Sequence, residues 1–140
     1  MIESDALLAG DGSGSVACSG GVKGFDGFMT VAMILEAMAF NDSSSAELAS
    51  KLPRYHIIKR KAQCPSAHGY NILRGMKKIF PDAEMSEEDG FRFDWPGGWV
   101  HLRASATEPV VRMIVEWKTP EGAEDLASHV MAYLERASVQ

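Results

Sequence analysis

A chain of 140 residues with 46% apolar and 24% charged side chains has room for one domain, or for a small domain and part of another. Its net charge of -5, with Lys and Arg scattered, argues against general nucleic-acid binding, which needs a basic surface. The longest apolar run, Phe28 to Phe40, is too short to span a bilayer; Cys18 and Cys64 lie far apart with no Cys-x-x-Cys spacing, and the opening residues lack a signal-peptide pattern, so the expectation is a cytoplasmic protein with reduced thiols.

Ala6–Ala9 reads as a short strand running into Gly10-Asp11-Gly12-Ser13-Gly14, with a second strand at Ser15–Cys18. The glycines predict a hairpin turn, and its one acid and one hydroxyl, Asp11 and Ser13, are also groups that can hydrogen-bond a sugar. Asp26 is placed to cap a helix over 27–40. That helix is apolar on all sides, from Phe28 and Met29 through Val31, Ile34 and Leu35 to Met38, which predicts burial on all sides. Two short strands cannot cover it, so it needs the rest of this chain, another copy, or a larger domain. Ser45 is expected to cap a short helix over 46–51 that Pro53 stops.

Arg54–Lys61 reads as an exposed strand leading into a second unit. A helix is expected over 67–80, with Tyr70, Leu73, Met76, Lys77 and Phe80 on one stripe. Phe91, Phe93 and Trp95 then alternate with Arg92 and Asp94, and after the turn Pro96-Gly97-Gly98 comes the strand that carries Arg103. Val111, Met113, Val115 and Trp117 alternate with Arg112, Ile114 and Glu116 in a further strand, and Thr119-Pro120-Glu121 opens a last helix. Glu84, Glu87, Glu88 and Asp89 read as an acidic turn without assigned chemistry. The layout is α+β, an antiparallel four-stranded sheet with two helices on one face, preceded by a partial α/β unit.

The period of two puts Val100 and Leu102 on one face, and Trp99, His101 and Arg103 on the other. Arg103 offers a planar fork of donors at the strand's exit, and Ser105 and Thr107 add hydroxyls, a set suited to phosphate or carboxylate oxygens. The same residues also fit a solvated turn in which Arg103 pairs with Glu108 or another acid. His56, His68, His101 and His129 show no metal-ligand spacing, although His101 shares a strand face with Arg103.

The run Arg103-Ala104-Ser105-Ala106-Thr107-Glu108-Pro109 and the apolar strand ending at Glu116 resemble the C-terminal signature of the α-D-phosphohexomutases, the phosphoglucomutase and phosphomannomutase family. In that family the pattern is Arg-x-Ser-x-Thr-Glu-Pro. The resemblance implies that residues 54–140 form a TATA-binding-protein-like fourth domain, in which Arg103, Ser105 and Thr107 grip the substrate phosphate that does not react. Residues 1–53 would be the remnant of the sugar-binding third domain, with Asp11 and Ser13 on the polar positions of its Gly-Gly-Glu-x-Ser/Asn-Gly loop. Ala9 stands where that loop has its first Gly, Asp11 where it has Glu, and Phe25 where an Arg usually precedes Asp-Gly.

Full-length family members use a phosphoserine and an Asp-rich metal loop, with Mg2+, to exchange a phosphoryl group between two positions of a hexose. Neither element occurs in this chain, so positioning is the task left to it, with no catalytic residue, no metal site and no cofactor of its own. The expected function is a substrate-phosphate-binding C-terminal fragment of a phosphoglucomutase or phosphomannomutase, inactive alone. The alternative is a standalone non-catalytic binding or self-association module. Expected partners are a hexose phosphate and either the N-terminal domains or a second copy docked through helix 27–40, with no nucleic acid and no membrane.

Overall fold

In the computed structural model, which describes residues 6–12, 14–20, 22, 24–64 and 69–138, the chain divides into two units, Met1–Pro53 and Arg54–Gln140.

In the first unit β1 (Leu8–Gly10) and β2 (Val16–Cys18) pair antiparallel, with Ala9 opposite Ala17. Helix α1 (Gly27–Asn41) starts where the Asp26 carboxylate accepts from the Met29 amide at 3.0 Å. It ends at Asp42, whose left-handed φ of 46° lets the next amide, that of Ser43, reach back to the Met38 carbonyl at 3.0 Å. Among the described residues of α1 none is buried: Phe28 is 92% and Phe40 90% exposed, so the described residues of this unit do not supply the burial that its composition demands. Helix α2 (Ser45–Ser50) is capped by Ser44, not Ser45. The Ser44 hydroxyl accepts from the Glu47 amide at 3.2 Å while Glu47 Oε2 accepts from the Ser44 amide at 2.7 Å, a reciprocal pair that Ser45 cannot make.

The second unit is a five-stranded antiparallel sheet ordered β3-β7-β6-β5-β4. Its strands are β3 (His56–Gln63), β4 (Glu84–Ser86), β5 (Phe91–Trp95), β6 (Gly98–Ala104) and β7 (Val110–Trp117). The α+β class and antiparallel sheet are as the alternation predicts, but the sheet has five strands rather than four. The addition, β4, is a three-residue edge strand inside the acidic stretch, held by pairing Met85 with Phe93. Strand β3 also begins and ends two residues later than expected.

One sheet face carries Phe91, Phe93, Val100, Leu102, Val111, Met113 and Val115, all at most 1% exposed. Helix α3 (Gly69–Gly75) with the 3-10 turn Met76–Lys78, and helix α4 (Pro120–Ala137), close over this face. Leu73 and Met76 come from the first, and Ala123, Ala127, Val130 and Leu134 from the second, at the spacing of four and three that makes a single stripe. The α-helical part of the first of these ends at Gly75, short of Phe80, where the Tyr133 hydroxyl packs against Gly75 and donates to the Ile72 carbonyl at 3.2 Å. Residues 65–68, the expected start of this helix and His68, lie outside the described residues. Arg60 grips Glu124 of α4 through two contacts of 2.6 and 2.8 Å, which holds the Glu124 carboxyl below the usual carboxylate range. Gly98 sits where a Cβ would meet the Glu116 carbonyl at 2.0 Å, so the close approach of β6 to β7 at that end depends on having no side chain.

Candidate functional site: a basic corner on the open sheet face

The other sheet face, which among the described residues no helix of this unit covers, carries alternate residues of the same strands. Register places them in rows. Trp99 lies opposite both Asp94 and Glu116, and this row satisfies itself: Trp99 Nε1 donates to Glu116 at 2.9 Å, Arg92 lies over the indole at 4.2 Å, and Arg92 forks onto Asp94. Four residues along each strand the character changes. Lys61, Arg112 and Arg103 fall in one row across β3, β7 and β6, three cations in direct cross-strand register. Like charges placed opposite one another on one face destabilise a sheet, so such a row calls for counter-charge.

The five residues joining β6 to β7, Ser105–Pro109, fold tightly over this row. The Ser105 amide donates to the Val110 carbonyl at 2.9 Å, extending the ladder, and the Glu108 amide donates to Ser105 Oγ at 3.3 Å. Beneath the loop, the Cys64 amide donates to the Pro109 carbonyl at 2.8 Å. The loop and the two strand ends enclose an open concavity of about 420 Å³ lined by His101, Arg103, Ser105, Thr107, Arg112 and Ile114 together with Ala104 and Ala106. Its volume is in the range of small-ligand sites. Arg103, Ser105 and Thr107, the three residues expected to form an anion seat, therefore line one surface.

Two acids approach its cations. Asp89 Oδ2 is 3.3 Å from Arg103 Nη1, with both side chains more than 60% exposed. Glu108 Oε2 lies 3.3 Å from Lys61 Nζ and 3.5 Å from Arg112 Nη2, and the Lys61 ammonium, with Arg112 behind it, holds the Glu108 carboxyl below the usual carboxylate range. The predicted pairing of Arg103 with an acid on a solvated turn is thus present in part, through Asp89 rather than Glu108. At these distances and exposures such pairs are weak and exchangeable. His101 donates through Nε2 to the Asp89 carbonyl; since a carbonyl only accepts, Nε2 carries the hydrogen.

Arg112 is the residue that reading the chain as a sequence missed. Nine positions separate it from Arg103, a spacing that means nothing until β6 and β7 are laid in register. The alternation of β7 put it on the polar face, and that was the available signal.

The chain matches the family description "Phosphoglucomutase/phosphomannomutase, C-terminal domain" over residues 59–132, which runs from within β3 through most of α4 and takes in the whole basic corner. The chain belongs to the phosphoglucomutase/phosphomannomutase family. It is 31% identical over 98% of its length to a phosphoglucomutase/phosphomannomutase of Thermococcus kodakarensis, and 34% identical over 87% to a phosphoglucosamine mutase of Methanococcus aeolicus. A crystal structure of a phosphoglucomutase/phosphomannomutase family protein from Burkholderia thailandensis superimposes over 97% of the chain, with a TM-score of 0.76 and 31% identity. The chain spans only 30%, 28% and 29% of those three proteins.

The sugar-loop residues are in a different state. Asp11 Oδ1 accepts from the Ser15 amide at 3.2 Å and the Asp11 carbonyl accepts from the Gly14 amide at 3.2 Å, so this carboxylate braces its own turn. Ser13 lies outside the described residues. Among the described residues no three or more His, Cys, Asp or Glu side chains come together as a group that could hold a metal ion. Among them also, no helix is long and apolar enough to cross a membrane.

Proposed function

We propose that the corner formed by Arg103, Ser105, Thr107 and Arg112 seats the phosphate of a hexose phosphate, and that the chain serves as the substrate-phosphate-binding C-terminal part of a phosphohexomutase. The observation that carries the proposal is the row Lys61–Arg112–Arg103, with like charges in register under a hydroxyl-bearing loop. A phosphate dianion would add to the partial counter-charge that Asp89 gives Arg103 and Glu108 gives Lys61 and Arg112. Arg103 supplies a planar fork, Arg112 a second guanidinium, and Ser105 and Thr107 hydroxyl donors that phosphate oxygens can accept from. The relatives act, by their names, on glucose, mannose and glucosamine phosphates, which share the phosphate and differ elsewhere.

The role of such a seat is positioning. Each hydrogen bond to a charged group is worth roughly 1.5–3 kcal/mol before ordering costs, so the corner alone holds phosphate at about millimolar affinity. Asp11 would add sugar contacts only if its carboxylate turned out of its present loop bond to the Ser15 amide. Turnover requires groups this chain does not carry, and the chain by itself is proposed to be inactive. The test is an amide chemical-shift titration of the whole chain with glucose 1-phosphate. Saturable shifts centred on Arg103, Ser105, Thr107 and Arg112 support the reading; unmoved signals at millimolar ligand defeat it.

A second proposal rests on α1, which has no buried residue despite its composition. Its covering partner is the remainder of a larger domain, such as the relatives' additional length supplies, or in its place a second copy of this chain.

A further inference from the structure

We propose that Asp89 is the resident counter-ion of the phosphate seat, occupying Arg103 until substrate phosphate displaces it and thereby setting affinity and release. The inference rests on the phosphate-binding reading above and adds an affinity-determining residue to it. Asp89 belongs to the turn between β4 and β5, not to the loop that encloses the seat. Its backbone is fixed by two features. Gly90, the next residue, has φ +81°, and a Cβ there would meet the Leu102 carbonyl at 2.4 Å, so the turn lies directly against β6. His101, the outward neighbour of Arg103 on β6, donates through Nε2 to the Asp89 carbonyl. The turn is therefore bolted to the strand that carries Arg103, and the carboxylate is delivered to the guanidinium from a fixed mount.

The contact itself is the opposite of fixed. A single oxygen meets a single nitrogen at 3.3 Å, with 65% of the Asp89 and 62% of the Arg103 side chain exposed. It uses one donor of a fork that phosphate can take with two, so a dianion wins the exchange while the carboxylate keeps Arg103 turned toward the seat beforehand. Glu108 differs: it sits in the seat's own loop, and one oxygen serves both Lys61 and Arg112, so it braces the loop rather than competing at Arg103. After exchange the Asp89 carboxylate stands beside the bound anion and repels it, which favours release.

The experiment measures affinity for inorganic phosphate by calorimetry on the whole chain, for wild type, Asp89→Asn, Arg103→Gln and the charge control Glu84→Gln at the far end of the sheet. Asp89→Asn is expected to bind about two- to fivefold tighter, the range an exposed pair allows, while Glu84→Gln stays within about 1.5-fold of wild type. Wild-type binding lost in Arg103→Gln but unchanged in Asp89→Asn would overturn the inference and leave the seat standing. An equal gain in Glu84→Gln would also overturn it, since net charge alone would then account for the effect. Absence of binding in wild type and Asp89→Asn alike would overturn the seat and the inference together.

Discussion

Arg103 and Arg112 stand directly opposite one another on β6 and β7, on the sheet face without helices. Their neighbours one step along, Leu102 and Met113, are also opposite one another and are buried in the core. A single register thus fixes both the buried core of this domain and the pairing of the cations on its other face.

That division predicts separable effects on stability and binding. Leu102 is wholly buried, so Leu102→Ala should cost about 2–5 kcal/mol in denaturant unfolding. Arg103→Gln, on the exposed side of the same strand, should stay within about 0.5 kcal/mol of wild type and yet bind phosphate at least roughly tenfold more weakly. Arg103→Lys should recover only part of the loss, because an ammonium cannot present two parallel donors. Comparable destabilisation by the leucine and arginine variants would contradict the assignment of faces.

At the other end of the β6–β7 pair, Gly98→Ala should destabilise by about 1–3 kcal/mol, since the methyl group would press on the Glu116 carbonyl and the Trp117 backbone. A thermal melt matching wild type would mean that the strands separate there without cost.

Acid should weaken the fold in a defined direction. The Glu108 carboxyl is held below its ordinary 4.5 by Lys61, then Arg112; that of Glu47 by the Ser44 amide and hydroxyl; and that of Glu124 by Arg60 and Ser128. A carboxyl with a depressed folded-state value stabilises the fold above its unfolded value and loses that contribution as pH falls through the folded one. Stability followed by circular dichroism should therefore be level above about pH 5 and decline below 4.5, and Glu108→Gln and Glu124→Gln should each flatten the decline. A decline on the alkaline side of neutrality would not come from these groups.

The cysteines should differ in reactivity. Cys64 is 3% exposed and burial raises its thiol above the ordinary value, so alkylation at pH 7 to 8 should modify it far more slowly than the half-buried Cys18. Equal rates would show that β3 opens at its end.

The apolar helix α1 gives a prediction of its own. With Phe28, Val31, Leu35 and Phe40 exposed, the chain by itself should associate with rising concentration in sedimentation velocity, and Phe28→Glu with Leu35→Glu should suppress it. A monomer at all concentrations would leave the relatives' additional length as the helix's proposed cover.

Much of this was legible in the chain because strong periodicity survives folding. Alternation from Phe91 to Trp117 marked the two sheet faces, and Asp26 and Thr119 marked helix starts that their side chains do cap. Strand β4 was hidden because three residues, Glu84-Met85-Ser86, carry no period of their own and become a strand only by pairing with β5. The cap at Ser44 was hidden among three serines, although the Ser-x-x-Glu spacing to Glu47 would have chosen it. Arg112 and Asp89 reach Arg103 through register and a long-range turn, information that no local window contains.

The most direct test of the central claim is a double-mutant cycle on phosphate affinity with Arg103→Gln, Arg112→Gln and the pair, measured on the whole chain at fixed ionic strength. If one dianion is shared, each single change weakens binding about tenfold or more, and the double change costs clearly less than the two losses added. Affinity unaltered by either change, or two losses that simply add, would contradict a seat in which both guanidinium groups hold the same phosphate.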